Sequence, residues 1–245
     1  MIAAIRTGLA LLFLIIFTPL GALVGFPWTW ISGSADLLYA IAMRIVRTGL
    51  RLAGIRIELE GIDQIDPSQT YIFMCNHVSN LDPPILIPVI PRRTSVLVKK
   101  ELFQVPILGR AMRMAELVAV DRRNREAALN SMRNAEAVMT KGLNMTVFPE
   151  GTRSRDGRLL SFKKGPFYLA MDSGVPVVPV TILGSESLMP KGSARIHPGT
   201  VRLVFHRPIF PKQFSDNDEL ISAVRAEIAS ALPPALREAN LDSAT

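Results

Sequence analysis

The chain has 245 residues, of which 49% are hydrophobic, and it carries a formal net charge of +7. This length predicts one α/β domain with a full core plus a small appendage, and the apolar content is typical of membrane contact. The positive charge favours an anionic partner, either lipid or nucleic acid. A single cysteine excludes an internal disulfide, and no Cys/His cluster has the spacing of zinc ligands.

The N-terminal stretch carries no charged residue from position 7 to position 35. As one helix it would be about 43 Å long, enough to cross a hydrocarbon core of about 30 Å. Trp28 and Trp30 are typical of side chains at a membrane interface. Three helix breakers are expected to interrupt the stretch: Pro19, Gly21 and Pro27. We expect an apolar helical membrane anchor, either a single span or a helical hairpin within one leaflet.

Two other interpretations of this stretch remain open. A secretory signal peptide would account for Arg6, the apolar run and the small residues Gly33 and Ala35, although the run is long for one. A core helix buried in a soluble domain is the other, and the continuous apolarity and Pro19 disfavour it.

The next stretch, residues 36–54, predicts a basic amphipathic helix. Arg44, Arg47 and Arg51 share one face at spacings of three and seven, above an apolar body. Arginines placed in this way suit the surface of an anionic leaflet. If the preceding stretch spans the membrane, these cations place the rest of the chain on the cytoplasmic side.

From residue 55 the pattern changes to short apolar strands that alternate with helical segments. We predict strands at 55–60, 71–75, 94–99, 118–120, 144–148, 175–183 and 201–206. We predict helices at 84–89, 103–117, 125–141, 165–173 and 218–231. This alternation indicates an α/β fold with a largely parallel or mixed sheet flanked by helices.

The first motif follows the strand predicted at 71–75 and reads Cys-Asn-His-Val-Ser-Asn-Leu-Asp. It places His77 on a loop at the sheet edge and Asp82 where the next helix should begin. With four residues between them, the carboxylate can fold back and accept the imidazole Nδ1–H, which leaves Nε2 free to take a proton. Because Asp82 precedes two prolines, a purely structural role as a helix N-cap stays open.

The second motif reads Phe-Pro-Glu-Gly-Thr-Arg-Ser over residues 148–154 and also follows an apolar run. With these two motifs, in this order and each at a predicted strand end, the chain resembles the glycerolipid acyltransferase family, of the lysophosphatidic acid acyltransferase type. The resemblance spans roughly residues 59–210.

This resemblance implies a membrane-bound enzyme at the cytoplasmic face of a bacterial inner membrane. An anchor at 1–54 would precede an acyltransferase domain at 55–245. The reaction would move a fatty acyl group from acyl-CoA or acyl-carrier protein to the free hydroxyl of 1-acyl-glycerol-3-phosphate (lysophosphatidic acid), giving phosphatidic acid. His77 would be the general base, with its ring oriented by Asp82. The other expected partner is anionic membrane lipid; no nucleic acid, metal or cofactor is expected.

The resemblance also implies an acceptor-binding site made by the second motif and two further basic positions. Its members would be Glu150, Gly151, Thr152, Arg153, Arg122 and Lys100. An arginine can engage a phosphate through two hydrogen bonds, whereas a lysine supplies a mobile point charge. Gly151 permits close backbone approach, and the neighbouring amides can donate to an anion. Glu150 is expected to hold the arginine or a glycerol hydroxyl rather than to form a catalytic carboxylate pair with Asp82.

Several alternatives stay open at the level of chemistry. Cys75 could be a nucleophile beside His77, although its position at the end of an apolar strand suggests a small buried side chain. The acceptor could be another lysophospholipid or a lyso-ornithine lipid. A lipid hydrolase could use the same pair of residues on water, although the chain lacks a Gly-x-Ser-x-Gly motif. A non-catalytic membrane scaffold would not require His77, Asp82 and the basic positions together.

Overall fold

A computed structural model describes residues 2–120, 125–189 and 195–237. The described strands are β1 (Ile55–Glu60), β2 (Ile72–Cys75), β3 (Thr94–Lys99), β4 (Val118–Val120), β5 (Asn144–Val147), β6 (Val177–Leu183) and β7 (Gly199–Phe205). The described α-helices are α1 (Ile2–Ser32), α2 (Asp36–Ala53), α3 (Asp82–Leu86), α4 (Leu108–Met114), α5 (Arg125–Met139), α6 (Gly165–Ser173), α7 (Ser185–Leu188) and α8 (Asn217–Ser230).

The strands form one mixed sheet in the order β1-β7-β6-β2-β5-β3-β4. All neighbouring pairs are parallel except β6 and β7, which are antiparallel. In the pairing of β2 with β5, Met74 lies opposite Val147, so the two strands end side by side. The two motif loops therefore leave the same edge of the sheet, where parallel α/β folds usually place their sites. The α/β fold with a mixed sheet flanked by helices, predicted from the sequence, is confirmed.

Two apolar layers cover the two faces of the sheet. Alternate residues of β2 point to opposite faces: Phe73 and Cys75 belong to one layer, Ile72 and Met74 to the other. The Phe73 layer is completed by residues of α2 and α3, and the Met74 layer by residues of α5, α6 and α8. All four β2 side chains are fully buried, so the strand that leads to His77 has packing on both faces.

The N-terminal stretch forms a helical hairpin, in which α1 packs along α2. The expected interruption of α1 is wrong, because the helix runs unbroken through Pro19 and Pro27. Packing against α2 explains this, since tertiary contact can hold a helix across a missing backbone hydrogen bond. Gly21 and Gly25 allow the close approach: a Cβ at Gly25 would lie 2.6 Å from a methyl carbon of Leu38.

The outer surface of α1 is almost entirely exposed and apolar. Its buried residues are Thr7, Ala10 and Gly25, and fourteen large apolar side chains from Ile2 to Ile31 are exposed. The alternative of a buried core helix is therefore wrong. By length and composition, α1 is the one helix of the described residues that could cross a membrane.

The arginines of α2 are not equivalent. Arg44, Arg47 and Arg51 are all exposed, but the Arg47 guanidinium also donates a hydrogen bond to the Pro88 carbonyl. Arg47 therefore helps to attach the hairpin to the segment after α3, and the basic face predicted from the sequence is exposed.

The helix predicted at 103–117 is wrong in its first half. The chain forms a 3-10 turn over Lys100–Gln104 and breaks, and α4 begins at Leu108. Pro106 explains the break, since proline lacks an amide hydrogen and pushes the residue before it towards an extended conformation. The other predicted strands and helices are present with ends shifted by a few residues, and α7 was not predicted.

Candidate active site

The loop after β2 is fixed to β6 by the side chain of Asn76. Its Nδ2 donates to the Ile182 carbonyl at 3.0 Å, and its Oδ1 accepts from the Ile182 amide at 2.7 Å. The side-chain amide thus continues the pairing of β2 with β6 one residue beyond the strand. Because Asn76 is buried, these bonds hold the point at which the chain turns towards His77.

His77 and Asp82 are in direct contact, as the sequence predicts. His77 Nδ1 lies 2.8 Å from Asp82 Oδ2, and the His77 side chain is 12% exposed. An ionised carboxylate only accepts hydrogen bonds, so Nδ1 carries the proton and Nε2 presents a lone pair. No group of the described residues bonds Nε2. The imidazole can therefore accept a proton at Nε2 while the carboxylate holds the ring.

The Asp82 carboxylate is fully buried and accepts four hydrogen bonds. Oδ2 accepts from His77 Nδ1 and from the amides of Val78 and Ser79, at 2.7 and 2.8 Å, while Oδ1 accepts from the Ser185 hydroxyl. The N-cap alternative is wrong: Leu81 occupies the cap position of α3, and the Asp82 carboxylate points back to the preceding loop. Four donors fix the orientation of this buried carboxylate.

Glu150 joins the two motif loops through backbone amides. Its Oε1 accepts from the His77 amide at 2.7 Å, and its Oε2 accepts from the Leu160 amide at 3.1 Å. Burial raises the pKa of Glu150 to about 7, against the effect of these two hydrogen bonds, and the nearby Asp82 charge adds to the rise. Neither of these bonds involves Arg153, so Glu150 positions the backbone on either side of the site.

The second motif forms a tight turn that closes over the imidazole. The Gly151 amide donates to the Phe148 carbonyl at 3.0 Å, and Gly151 has φ +71°, a conformation that favours glycine. The Phe148 ring packs on the His77 ring with centroids 4.3 Å apart. The Ser154 amide donates to the His77 carbonyl at 2.8 Å. The two loops therefore behave as one structural unit.

A cavity of about 670 Å³ opens beside this unit. Leu97, Val120 and Tyr168 supply apolar walls, and Glu150 and Lys163 supply polar groups. His77 is not part of the wall, but it packs on Phe148, which is. A mainly apolar cavity with a few polar groups is the usual form of a small-molecule site.

The expected acceptor-binding residues are only partly brought together. Gly151 and Thr152 line the cavity, and Arg153 follows them, half-buried, in the same loop. Lys100 is exposed at the start of the 3-10 turn after β3, away from the cavity wall. Arg122 lies outside the described residues.

The environment of Cys75 opposes the nucleophile alternative. Its side chain is fully buried, and desolvation, with a smaller effect from the Asp82 charge, raises the pKa of its thiol well above the ordinary value. A protonated, inaccessible thiol is a poor nucleophile. Among the described residues, no group of three or more His, Cys, Asp and Glu side chains could hold a metal ion.

Sequence reasoning gave no role to Asn76, Ser185 or Leu160, three residues that hold the motif loops. Asn76 lies in the first motif, directly before His77, and this position was the only feature of the sequence that could have indicated its role. Ser185 lies 103 positions from Asp82, and no local pattern connects them.

Comparisons with known proteins agree with this architecture. A family model described as Acyltransferase matches residues 56–183. A chloroplastic 1-acyl-sn-glycerol-3-phosphate acyltransferase of Arabidopsis thaliana is 36% identical over 179 residues, covering 72% of this chain and 49% of the relative. The human 1-acyl-sn-glycerol-3-phosphate acyltransferase alpha is 30% identical over 192 residues, covering 78% of this chain and 67% of the relative. The chain spans about half the length of the plant relatives that it matches.

A solved structure has the same fold over almost the whole chain. The crystal structure of the 1-acyl-sn-glycerophosphate (LPA) acyltransferase PlsC from Thermotoga maritima is similar with a TM-score of 0.74 and 29% identity. The match covers 92% of this chain and 94% of that one. The matched model takes in both motif loops and the strands before them. From the family model and these relatives, we conclude that this chain belongs to the acyltransferase family.

Proposed function

We propose that this protein transfers a fatty acyl group from a thioester donor to the free hydroxyl of 1-acyl-glycerol-3-phosphate, giving phosphatidic acid. The observation that carries the proposal is the 2.8 Å contact of His77 Nδ1 with Asp82 Oδ2, next to the second motif loop. The names of the Arabidopsis, human and Thermotoga relatives support the choice of acceptor. The donor would be acyl-CoA or acyl-carrier protein.

In the proposed step, His77 acts as the general base. Nε2 removes the proton of the acceptor hydroxyl as its oxygen bonds to the thioester carbonyl carbon. The tetrahedral intermediate then collapses, the carbon–sulfur bond breaks, and the imidazolium returns its proton to the leaving thiolate. Asp82 keeps the Nδ1 proton in place and stabilises the imidazolium that forms between these events.

The acceptor phosphate would bind at the second motif loop. Arg153 is half-buried and directly follows Gly151 and Thr152, which line the cavity, and an arginine can make two charge-assisted bonds to phosphate. Arg122 would add positive charge to the same site, whereas Lys100 lies outside the cavity wall and is not assigned to the phosphate. Glu150 would serve this site indirectly, since its two hydrogen bonds connect the His77 loop with the chain at Leu160.

The acceptor carries one acyl chain, so the enzyme must meet it at a bilayer. The exposed apolar surface of α1 supports membrane attachment through residues 1–54, with the domain from residue 55 onward at the cytoplasmic face of a bacterial inner membrane. The packing of α1 along α2 favours a hairpin in one leaflet over a single span. Exposed Arg44 and Arg51 would contact anionic head groups.

The test is turnover by the purified full-length protein with a panel of acceptors. We expect phosphatidic acid from 1-acyl-glycerol-3-phosphate with acyl-CoA or acyl-carrier protein, and much slower acylation of lysophosphatidylcholine or lyso-ornithine lipid. Release of free fatty acid without an acylated product would indicate a hydrolase. No turnover of any donor by folded protein would leave only the scaffold alternative.

A further inference from the structure

Four large apolar side chains are exposed within seven residues between β3 and α4. Leu102, Val105, Ile107 and Leu108 are each between 40% and 44% exposed. We refer to residues 102–108 as the apolar segment. Outside the N-terminal hairpin, the other exposed large apolar side chains of the described residues are single positions, at Leu59, Tyr168 and Phe210. A cluster of this kind marks a binding surface more often than isolated exposed residues do.

The backbone of the apolar segment has a defined conformation that leaves these side chains exposed. Ile107 has φ +63° and ψ −60°, which a β-branched residue rarely adopts. A Cβ at Gly109 would lie 2.1 Å from the Phe103 carbonyl oxygen, so glycine is needed where the chain closes on itself. The Gly109 amide donates to the Val105 carbonyl at 2.7 Å. The exposure is therefore built into a defined conformation.

The helix that continues the apolar segment, α4, contacts α1. The Arg110 guanidinium lies 4.7 Å from the centre of the Trp30 ring and 5.8 Å from that of Phe26. Trp30 itself is 64% exposed, and its neighbour Ile31 is 84% exposed. The exposed apolar surface of α1 thus continues through Arg110 into the apolar segment.

We propose that the apolar segment inserts into the same leaflet of a lipid bilayer as α1 and forms a second membrane contact. This inference rests on the membrane attachment proposed above. Its flanks carry a net positive charge, which fits a bilayer with anionic head groups: Lys99, Lys100 and Glu101 precede the segment, with Lys99 paired to Glu101, and Arg110 and Arg113 follow it. Apolar side chains between cations suit the boundary between acyl chains and head groups.

A second contact at this place would orient the domain on the membrane. The apolar segment belongs to the connection between β3 and β4, and each of these strands supplies a wall residue of the cavity, Leu97 and Val120. Insertion would therefore bring the cavity close to the lipid surface. If the hairpin were the only membrane contact, the domain could rotate about the hairpin axis. A second contact restricts this rotation.

The test uses a fluorescent probe on the full-length protein. Leu108→Cys carries an environment-sensitive nitrobenzoxadiazole label, and native Cys75 is fully buried and does not compete. In phosphatidylcholine–phosphatidylglycerol vesicles we expect the emission to shift to the blue and to be quenched by lipids with a shallow nitroxide. Phe210→Cys is the matched control, since Phe210 is 45% exposed and its neighbours Ile209 and Phe214 pack on the face of the sheet away from α1.

A third label, at Leu23→Cys on α1, separates the two proposals, because Leu23 is 71% exposed. Quenching at 23 without quenching at 108 would overturn the second contact alone. Quenching at neither position would overturn both the membrane attachment and the inserted segment, whatever the acyltransferase assay shows. Crosslinking between copies through position 108 would assign the surface to a second copy of the chain and overturn the bilayer assignment.

An activity measurement adds an independent readout. We expect the double variant Val105→Gln, Leu108→Gln to acylate vesicle-embedded acceptor about five- to tenfold more slowly, because less apolar surface enters the leaflet. Acylation of a dispersed short-chain acceptor should stay within about twofold, since neither side chain lines the cavity. Equal loss with both acceptors would contradict a membrane role.

Discussion

The Ser185 hydroxyl donates a hydrogen bond to Asp82 Oδ1, and both side chains are fully buried. Ser185 begins α7, directly after β6, so the bond connects the end of that strand to the first motif. Of the four hydrogen bonds to Asp82, this is the one made by a residue outside the motif. The position of the imidazole therefore depends on a helix that lies about a hundred residues further along the chain.

Ser185→Ala should lower kcat about tenfold, because Asp82 Oδ1 loses the one side-chain donor that it has among the described residues, and such a loss costs about 1–3 kcal/mol. The acceptor KM should change little. Ser187→Ala is the matched control, since Ser187 is exposed on the same short helix and its hydroxyl bonds the Gly184 carbonyl. Equal activity of the two variants would remove Ser185 from the positioning of Asp82.

His77→Ala should reduce turnover by at least about 10², with folding retained, since positioned general bases typically supply 10²–10⁴. Asp82→Asn should be milder. The asparagine oxygen can still accept from the Val78 and Ser79 amides, and its amide nitrogen can donate to Ser185 if that hydroxyl turns.

Asp82→Ala should be more destabilising than Asp82→Asn, because it leaves the buried amides of Val78 and Ser79 without their acceptor. We expect it to lower the free energy of unfolding by about 2–4 kcal/mol, where Asp82→Asn lowers it by less than about 1 kcal/mol. Chemical denaturation in detergent micelles measures the free energy of unfolding of both variants.

Folded His77→Ala with near-normal turnover would refute the general-base role.

Glu150 should make stability depend on pH. Burial raises its pKa to about 7 from the ordinary 4.5, so the folded protein holds this proton more tightly than the unfolded chain does. Its contribution to stability is complete below about pH 4.5 and is lost as the pH rises through about 7, an effect of about 3 kcal/mol. Glu150→Gln cannot titrate and should remove this part of the slope.

The measurement is the free energy of unfolding in urea, in micelles, at about pH 5 and about pH 8. Glu136→Gln is the control for a change of net charge, because Glu136 is exposed on α5. If the pH dependence is the same for both variants, the raised pKa of Glu150 is contradicted.

The hairpin depends on glycine at the helix contact. Gly25→Val would bring a side chain within 2.6 Å of the Leu38 Cδ1 and 3.2 Å of its Cα, so the helices must separate. We expect a loss of about 1–3 kcal/mol, as for other overpacked sites, and faster proteolysis between α1 and α2. Gly8→Ala should be neutral or slightly stabilising, because no atom lies within 4 Å of its Cβ position. Equal behaviour of the two would exclude close packing at Gly25.

How far the sequence predicts this site depends on whether each signal is local. His77 and Asp82 lie in one short stretch with a strand before it, so their contact follows from spacing alone. Glu150 could be recognised as a motif residue, but its bonds to the His77 and Leu160 amides depend on how two loops pack after folding. The bond from Ser185 has no local signal at all.

For the fold, too, the features with a local signal could be predicted, and those that depend on packing could not. Most strands could be predicted because they are short apolar runs, and β1 because apolar and charged residues alternate along it; the alternation of strands with helices then indicated the class of fold. The breaks were harder: Pro19 and Pro27 do not interrupt α1, where α2 packs along the helix, while a break at Pro106 separates the 3-10 turn from α4. A proline therefore predicts a helix boundary only when the surrounding packing is known.

Arg153 is the residue of the second motif proposed to bind the acceptor phosphate. Arg153→Ala should raise the acceptor KM about ten- to a hundredfold, because losing a charge-assisted contact costs about 1.5–3 kcal/mol. Arg155→Ala is the control, since Arg155 is exposed two positions further along the same loop. Arg153→Lys should recover only part of the loss, because a point charge cannot make the two parallel bonds of a guanidinium.

A second acceptor isolates the phosphate from other effects of the substitution. Monoacylglycerol has the acyl chain and hydroxyls but no phosphate. We expect slow acylation of it, at the same rate by the unchanged protein and by the Arg153→Ala variant. The quantity to compare is the ratio of kcat/KM for the two acceptors in each variant. The ratio should fall in Arg153→Ala and stay constant in Arg155→Ala. A ratio unchanged in Arg153→Ala, with KM raised for both acceptors, would mean that Arg153 supports the loop and does not bind the phosphate.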